Sequence, residues 1–133
     1  MTKEEKYAYW LDIAKYDLDT AGVMYDSGRW IYVVFMCQQA VEKLIKGLYL
    51  LFIDDNIPRT HNIRAIFEEF EDKLQDSIPS DKYILFDKLS QYYLNNRYPE
   101  YLSKLSSQIN ETTAKNIITE TRETFAWLLT LKP

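Results

Sequence analysis

A polar stripe on one predicted helix is the first group of residues that could bind a ligand or support chemistry. The segment Trp30–Phe52 is apolar over most of its helical circumference, whereas Gln39, Glu42, Lys43 and Lys46 fall together in one narrow stripe. Polar groups on such a buried helix need partners or an exit to solvent. We therefore expect the stripe to face a cleft. In the alternative it is a solvated face, on which an i, i+4 ion pair contributes roughly a few tenths of a kcal/mol.

The only histidine, His61, is the one imidazole that this chain can offer as a general acid, a general base or a ligand. It follows Pro58-Arg59-Thr60, where it could equally cap a helix or pack against the end of a bundle. One histidine with one distant cysteine is poor support for a zinc site. The sequence also has no glycine-rich phosphate loop and no nucleophile elbow, so we expect no metal and no cofactor.

The segment 95–110 has no sustained apolar period and carries a second candidate site around Arg97. Tyrosines surround this arginine at positions Tyr92, Tyr93, Tyr98 and Tyr101. An arginine offers a planar fork for phosphate, and a tyrosine offers a ring on which a base can stack. In the structural alternative, Arg97 pairs with a buried carboxylate such as Asp17 or Glu42, and the tyrosines close one end of the fold.

The elements that position these residues are all predicted to be helices. Apolar periodicity and capping residues predict helices over about residues 2–26, 30–52, 62–70, 81–94 and 111–131. Gly28 supplies a left-handed end to the first helix, and a short turn there predicts antiparallel packing of the first two helices. Ser80 and Asn110 are the expected caps of the last two helices. The predicted fold is all-α, an up-and-down antiparallel bundle of four long helices plus one short helix, in a single domain covering residues 1–133.

Composition excludes several classes of protein. A net charge of −4 argues against a broad basic surface for long nucleic acid, although a local basic pocket remains compatible with it. The first ten residues lack the apolar core of a secretory signal, and the Trp30–Phe52 helix is too polar in its middle to span a bilayer. We therefore expect a cytoplasmic protein that does not enter the membrane. Large apolar side chains, among them Trp10, Trp30 and Trp127, exceed what one small bundle covers, which predicts a homodimer or a heteromer.

Several short patterns, taken in order, resemble the HEPN family, whose name stands for higher eukaryotes and prokaryotes nucleotide-binding domain. The first two are Ala14-x-x-Asp17-Leu18-x-x-Ala21 and Gly28-Arg29-Trp30. The next is Phe35-x-x-Gln38-Gln39-Ala40-x-Glu42-Lys43-x-x-Lys46. Pro58-Arg59-Thr60-His61-Asn62 and Arg97-Tyr98-Pro99-Glu100 complete the set. The match spans nearly the whole chain, and the combination is more specific than any one piece.

The resemblance implies an antiparallel helical bundle that is commonly dimeric and often encoded beside a minimal nucleotidyltransferase, with which it forms a toxin–antitoxin-like pair. Many members are metal-independent ribonucleases whose motif places a His four to six residues after an Arg. Here no His follows Arg97 at that spacing, so the group expected to take the proton from the ribose 2′-hydroxyl is missing. The resemblance therefore favours a non-catalytic module for a nucleotide or RNA phosphate, with Arg97, Tyr98 and His61 beside the polar stripe. A ribonuclease rebuilt from Arg97 and His61, and an inert dimerisation domain, are the alternatives.

Overall fold

The computed structural model describes residues 1–93 and 99–133, except for the side chains at positions 99, 101 and 102. Every regular element within these ranges is helical, which confirms the predicted all-α class. The six helices are α1 (Lys3–Asp26), α2 (Trp30–Phe52), α3 (Ile63–Glu68), α4 (Ser80–Ser90), α5 (Pro99–Gln108) and α6 (Glu111–Leu129), with one 3₁₀ turn at Glu71–Lys73.

Helices α1 and α2 form an antiparallel pair joined by a tight turn. The α1 N-terminus is closed by reciprocal hydrogen bonds between Thr2 and Glu5, which satisfy two backbone donors that have no partner inside the helix. At the other end Gly28 adopts a φ of +73°, the left-handed conformation predicted for it. The rings of Tyr25 and Trp30 meet edge to face across this turn, with their centroids 5.4 Å apart.

Helix α2 is the centre of the molecule, as its nearly continuous apolar surface predicted. It contacts α1, α3, α4, α5 and α6. Eight of its apolar side chains have no exposed surface: Val33, Val34, Cys37, Ala40, Val41, Leu44, Ile45 and Leu48. A group fixed to α2 is therefore fixed relative to the whole fold.

A glycine permits the close approach of α1 to the second half of α2. A Cβ atom added to Gly47 would lie 3.1 Å from the Cβ of Trp10 and 3.3 Å from Cδ1 of Tyr7. Both atoms are close to the backbone or held in the core, so neither moves aside easily. The absence of a side chain at position 47 therefore sets the spacing between the two helices here.

Helices α3 and α4 are joined by an aromatic core and by a set of charges at the surface. Phe67 on α3 and Phe86 on α4 are fully buried, with ring centroids 5.2 Å apart. Outside this core, the Arg64 cluster consists of Arg64, Glu68, Glu71, Tyr83 and Asp87. Arg64 Nη1 lies 2.9 Å from Asp87 Oδ2, and its guanidinium sits 4.8 Å from the centre of the Tyr83 ring.

Two parts of the sequence-based helix prediction need correction. Helix α5 occupies Pro99–Gln108, a stretch for which the apolar pattern predicted no helix. Helix α4 ends at Ser90 rather than near residue 94, and its N-cap is Pro79 instead of Ser80, which is the first helical residue. The predicted cap Asn110 does accept a hydrogen bond from Thr113 N, and Asn62 caps α3 by accepting one from Ala65 N. Among the described helices, none combines the length and the apolar character that crossing a membrane would require.

Candidate functional site

The polar stripe of α2 contains a carboxylate that is buried and bound by three donors. Glu42 accepts from Gln38 Nε2 at 2.6 Å and from Lys46 Nζ at 3.2 Å, and its two oxygens lie 3.0 and 3.1 Å from His61 Nδ1. Gln39 Nε2 donates in turn to Gln38 Oε1 at 2.7 Å. We call these five residues the Glu42 network. Its members come from α2 and from the segment just before α3.

Exposure rises along the network from its carboxylate to its imidazole. The side chain of Glu42 is 5% exposed and that of Lys46 13%, whereas the His61 ring is 47% exposed. A buried carboxylate is stable only with cationic or hydrogen-bonding partners, which these neighbours supply. The network therefore anchors a charge inside the fold and presents one ring to the outside. This agrees with the expectation that the stripe would not be a freely solvated face.

Two turns in the loop between α2 and α3 set the position of His61. Asp54 Oδ1 accepts from Asn56 N at 2.9 Å, and Thr60 Oγ1 accepts from Asn62 N at 3.1 Å. The Asn62 side chain then caps α3. Short polar side chains form such local turns readily because they replace backbone hydrogen bonds. The histidine is thus held between a side-chain turn and a helix cap.

The His61 ring is also covered on one face. Tyr93 stacks on it with the ring centroids 3.6 Å apart and the planes 14° from parallel. The end of α4 is tied to the start of α3 because Ser90 Oγ accepts from Ile63 N at 3.0 Å. This bond brings the residues that follow α4 over the imidazole. The ring is therefore fixed by one hydrogen-bonded edge and one stacked face.

Lys46 and His61 open onto a pocket of about 440 Å³. Its other walls are Trp10 from α1 and residues 55–59 of the loop. Arg59 lies on this wall with its side chain exposed, and it makes no hydrogen bond or ion pair to any residue in the described ranges. The pocket combines the aromatic rings of Trp10 and His61 with two cations, Lys46 and Arg59.

The acidic residue of the pocket is already paired. Asp55 Oδ2 lies 2.8 Å from Lys6 Nζ, and this hydrogen bond together with the lysine charge lowers the pKa of Asp55. Glu42 is likewise bound by Lys46 and His61. Arg59 is consequently the cation of this pocket whose charge no described carboxylate balances.

Lys43, the remaining member of the predicted stripe, has a different partner. Its Nζ lies 2.5 Å from Oδ2 of Asp17, a largely buried residue of α1. The pair links α1 to α2 and does not hydrogen-bond to the Glu42 network. Lys43 therefore joins the two helices, and its predicted part in ligand binding stays a prediction.

The second candidate site falls largely outside the described residues. Arg97 and Tyr98 are not described, so their predicted roles in binding remain predictions. The two carboxylates considered as structural partners of Arg97 each have a cation within the described ranges. Asp17 pairs with Lys43, and Glu42 pairs with Lys46.

Two buried polar residues were not predicted as site residues: Asp17 was considered only as a possible structural partner of Arg97, and Gln38 only as part of the family pattern. Asp17 is three residues after Ala14 and four before Ala21, both of which are fully buried, so it lies on the inner face of α1. Gln38 is completely buried on α2. A polar residue on a buried helical face must have a partner, and this rule alone would have marked both positions.

Three other residues of the site had no usable signal in the sequence. Tyr93 falls within the predicted range of the fourth helix, but it lies beyond the end of α4. Trp10 and Arg59 come together at the pocket only because α1 and the loop meet in space. Neither residue is part of an apolar or charged pattern that identifies this contact.

The chemistry open to the site follows from how His61 is held. Because the Glu42 carboxylate can only accept, Nδ1 carries the hydrogen of that bond and Nε2 is the nitrogen left for a ligand. Nε2 can accept a proton from a hydroxyl, or donate to a phosphate once the ring is protonated. No group of three or more His, Cys, Asp and Glu side chains in the described ranges is arranged to hold a metal ion.

Comparison with known proteins places the chain beside helical relatives. The model of the HEPN domain family matches residues 7–131. A protein of Methanocaldococcus jannaschii named "Putative toxin MJ1304" is 30% identical over 118 residues, which cover 84% of this chain and 76% of that protein.

Two solved structures share the fold. The crystal structure of TT1696 from Thermus thermophilus superposes with a TM-score of 0.78 at 21% identity, covering 94% of this chain and 97% of the other. The crystal structure of ST0689, described as an archaeal HEPN homologue, superposes with a TM-score of 0.71 at 22% identity, covering 96% and 98%.

Proposed function

Because this chain belongs to the HEPN domain family, we propose that it binds the phosphate of a nucleotide or of RNA, without catalysis, as one member of a toxin–antitoxin-like pair. The observation that carries the proposal is the Glu42–His61 contact, which fixes a half-exposed imidazole at a pocket that also contains Lys46 and Arg59. The toxin name of the archaeal relative supports the pairing. The family resemblance supports a minimal nucleotidyltransferase as the partner.

Phosphate recognition at this pocket rests on two kinds of cation. Lys46 is held by the buried carboxylate and keeps a fixed position, whereas Arg59 is exposed and can close on a ligand with its planar fork. A protonated His61 adds a donor at Nε2. Arg97 supplies a further fork in this proposal, as its place in the family pattern suggests.

A titration with purified protein tests the binding. The probes are inorganic phosphate, adenosine 5′-monophosphate and a short single-stranded RNA, and calorimetry measures the binding of each. The variants His61→Ala and Arg97→Ala should each weaken binding by about 1.5–3 kcal/mol, the usual net contribution of a hydrogen bond to a charged group. Arg97→Lys should not restore affinity, because a lysine lacks the two-pronged donor geometry.

Arg29→Ala is the matched control for Arg97→Ala, because it removes the same positive charge. Arg29 is exposed and lies at the other end of α2 from the pocket. Binding that is equally sensitive to Arg29 and to His61 would indicate a general charge effect and contradict the site. Failure of all three probes to bind would leave the inert dimerisation domain as the better interpretation.

A ribonuclease is the second candidate, and one specific observation favours it. The imidazole of His61 is oriented by a carboxylate and stacked on Tyr93, which precedes Arg97 by four residues in the sequence. Four residues span at most about 14 Å of chain, so the distance allows both side chains to act on one phosphate.

In such a reaction Nε2 takes the proton of the ribose 2′-hydroxyl, and the 2′-oxygen attacks the adjacent phosphorus. The bond to the 5′-oxygen breaks as that oxygen takes a proton, either from the imidazolium that has just formed or from water, and the products are a 2′,3′-cyclic phosphate and a 5′-hydroxyl. Incubation of end-labelled RNA with the protein and with His61→Ala tests this. Cleavage by the parent protein that disappears in the variant would replace the non-catalytic proposal.

Self-association is the last part of the proposal. Tyr9, Tyr16 and Val23 are 63%, 73% and 58% exposed and recur every seven residues on α1, which gives one exposed apolar stripe along that helix. A second copy of the chain could cover this stripe. Sedimentation should show a dimer at about tens of micromolar protein, and Tyr16→Lys should give monomers without changing the melting temperature. Parent protein that sediments as a monomer would contradict the homodimer.

A further inference from the structure

We propose that the pocket between α1 and the 55–59 loop is a base-and-phosphate subsite, in which Trp10 stacks on a nucleobase and Arg59 binds the phosphate of the same nucleotide. The inference rests on the proposed phosphate binding and adds the part of the ligand that is recognised and the residues that recognise it. The ligand class is a nucleoside monophosphate unit, either free or within single-stranded RNA.

The three tryptophans of the chain differ in a way that points to this pocket. Trp30 contacts the ring of Tyr25 at 5.4 Å, and Trp127 contacts the ring of Phe67 at 6.1 Å. Trp10 is half-buried, and within the described residues it has no ring partner, no cation over its ring and no hydrogen bond to its indole nitrogen. A large aromatic side chain with a free surface on a pocket is the group on which a base stacks most favourably.

The charges of the pocket are arranged to leave one site for an anion. Lys6 neutralises Asp55, and the buried Glu42 neutralises Lys46, so neither acidic group repels an incoming phosphate. Arg59 is the cation on the same wall that has no carboxylate partner in the described ranges. A phosphate bound there would therefore supply a counter-charge that the protein lacks.

The position of Trp10 is fixed by its backbone rather than by ring contacts. Its Cβ lies against Gly47 of α2, where an added methyl would come within 3.1 Å. The side chain therefore starts from a rigid base and ends in the pocket. A volume of about 440 Å³ is within the range of pockets that hold a small ligand.

Tryptophan fluorescence and calorimetry with three probes test the subsite. Adenosine 5′-monophosphate carries base and phosphate, ribose 5-phosphate lacks the base, and a short oligoadenylate represents RNA. Trp10→Ala should weaken binding of the monophosphate by about 5- to 150-fold, the range measured for loss of one stacked base, and leave ribose 5-phosphate unaffected. Arg59→Ala should weaken binding of both. Trp10→Phe, which keeps a ring, should retain most of the affinity and lose most of the fluorescence change.

The oligoadenylate distinguishes a free nucleotide from single-stranded RNA as the ligand. Much tighter and more salt-sensitive binding of the oligonucleotide than of the monophosphate would identify RNA, because further phosphates then contribute. Equal affinity would identify a free nucleotide. Both results support the subsite, and Arg29→Ala serves as the charge control.

One result would overturn the subsite alone, and another would overturn the proposed function with it. If the monophosphate binds and His61→Ala weakens it while Trp10→Ala and Arg59→Ala do not, the phosphate site exists without this subsite. If the parent protein binds none of the three probes, both proposals are wrong. Melting curves of every variant confirm that the measured protein is folded.

Discussion

Two polar clusters flank helix α3, and they differ in where their charge is buried. In the Glu42 network the carboxylate is 5% exposed and the terminal imidazole 47%. In the Arg64 cluster the side chains of Arg64 and Asp87 are 42% and 51% exposed, so the whole ion pair is solvated. The Arg64 cluster includes the Tyr83 ring under its arginine, and the imidazole of the Glu42 network is stacked on the Tyr93 ring. The two clusters therefore contain similar groups, a carboxylate with a cation beside a tyrosine ring, but only the Glu42 network buries its carboxylate.

The difference lies in what each cluster can do besides hold helices together. Solvated ion pairs contribute little to stability and exchange easily with water. A buried carboxylate must keep its partners in place, and this requirement orients an imidazole whose other nitrogen makes no hydrogen bond to the residues that the structure describes. A site for chemistry therefore needs a buried end that imposes geometry and an open end that meets the ligand.

The largest expected difference between the two clusters is the loss of stability when the central charged residue of each is replaced by alanine. Glu42→Ala should lower the free energy of unfolding by about 3–5 kcal/mol, because Lys46 and the Gln38 amide lose a buried partner. Arg64→Ala should change it very little. Urea unfolding followed by circular dichroism measures both. Equal losses in the two variants would show that burial does not distinguish the clusters.

The close approach of α1 beside the Glu42 network can be tested with two helical glycines. Gly47→Ala should destabilise the protein by about 1–3 kcal/mol, because the new methyl meets the Cβ of Trp10 and the ring of Tyr7. Gly22→Ala is the control, since its methyl meets only the end of the flexible Arg122 side chain. It should be neutral or stabilising by up to about 1 kcal/mol. Thermal unfolding of the Gly47→Ala and Gly22→Ala variants makes the comparison. A Gly47→Ala protein more stable than the parent would contradict the tight contact.

Within the Glu42 network, the imidazole should matter much less for stability than the carboxylate. His61→Ala should cost about 1 kcal/mol, since Glu42 keeps Gln38 and Lys46 as donors and the lost ring is half exposed. Urea unfolding alongside Glu42→Ala makes the comparison direct. A loss as large as that of Glu42→Ala would mean that His61 mainly stabilises the fold and is not an open group.

The last effect is a pH dependence to which the Arg64 cluster contributes through Tyr83. Burial, followed by the hydrogen bond to Glu71, raises the pKa of Tyr83 from 10.0 to about 12. Because the folded pKa is the higher one, the stability linked to this proton is complete below pH 10.0 and is lost as pH rises toward about 12. Tyr83→Phe should flatten this decline. Ultraviolet titration of the phenolate is the measurement, and ionisation of Tyr83 with the ordinary tyrosines would contradict it.

Most of the fold could be predicted because the long helices carry their own signals. On α6, Ala114, Ile118 and Phe125 recur at helical spacing and are buried, and the predicted cap Asn110 does cap that helix. Helix α5 was not predicted because it has few apolar residues and begins at a proline, a residue that is typical of loops. A proline at the first helical position is nevertheless compatible with a helix, since its missing N–H has no acceptor there.

The candidate site could be predicted only in part, for a physical reason. Gln39, Glu42 and Lys46 share one helical face, so spacing alone groups them. That His61 joins Glu42 depends on the path of a loop, and that Tyr93 stacks on His61 depends on where α4 ends. Such contacts between distant parts of the chain leave no period in the sequence.

The single thiol of the chain gives the experimenter a means of observing rare opening of the fold. Cys37 sits in the middle of α2 with no exposed surface, and burial raises its pKa to about 12. A thiol reagent near neutral pH can therefore react only with molecules in which α2 has separated from its neighbours. The labelling rate reports that open population directly. A ligand that binds in the pocket beside Lys46, on the same helix, should slow the labelling in proportion to its occupancy.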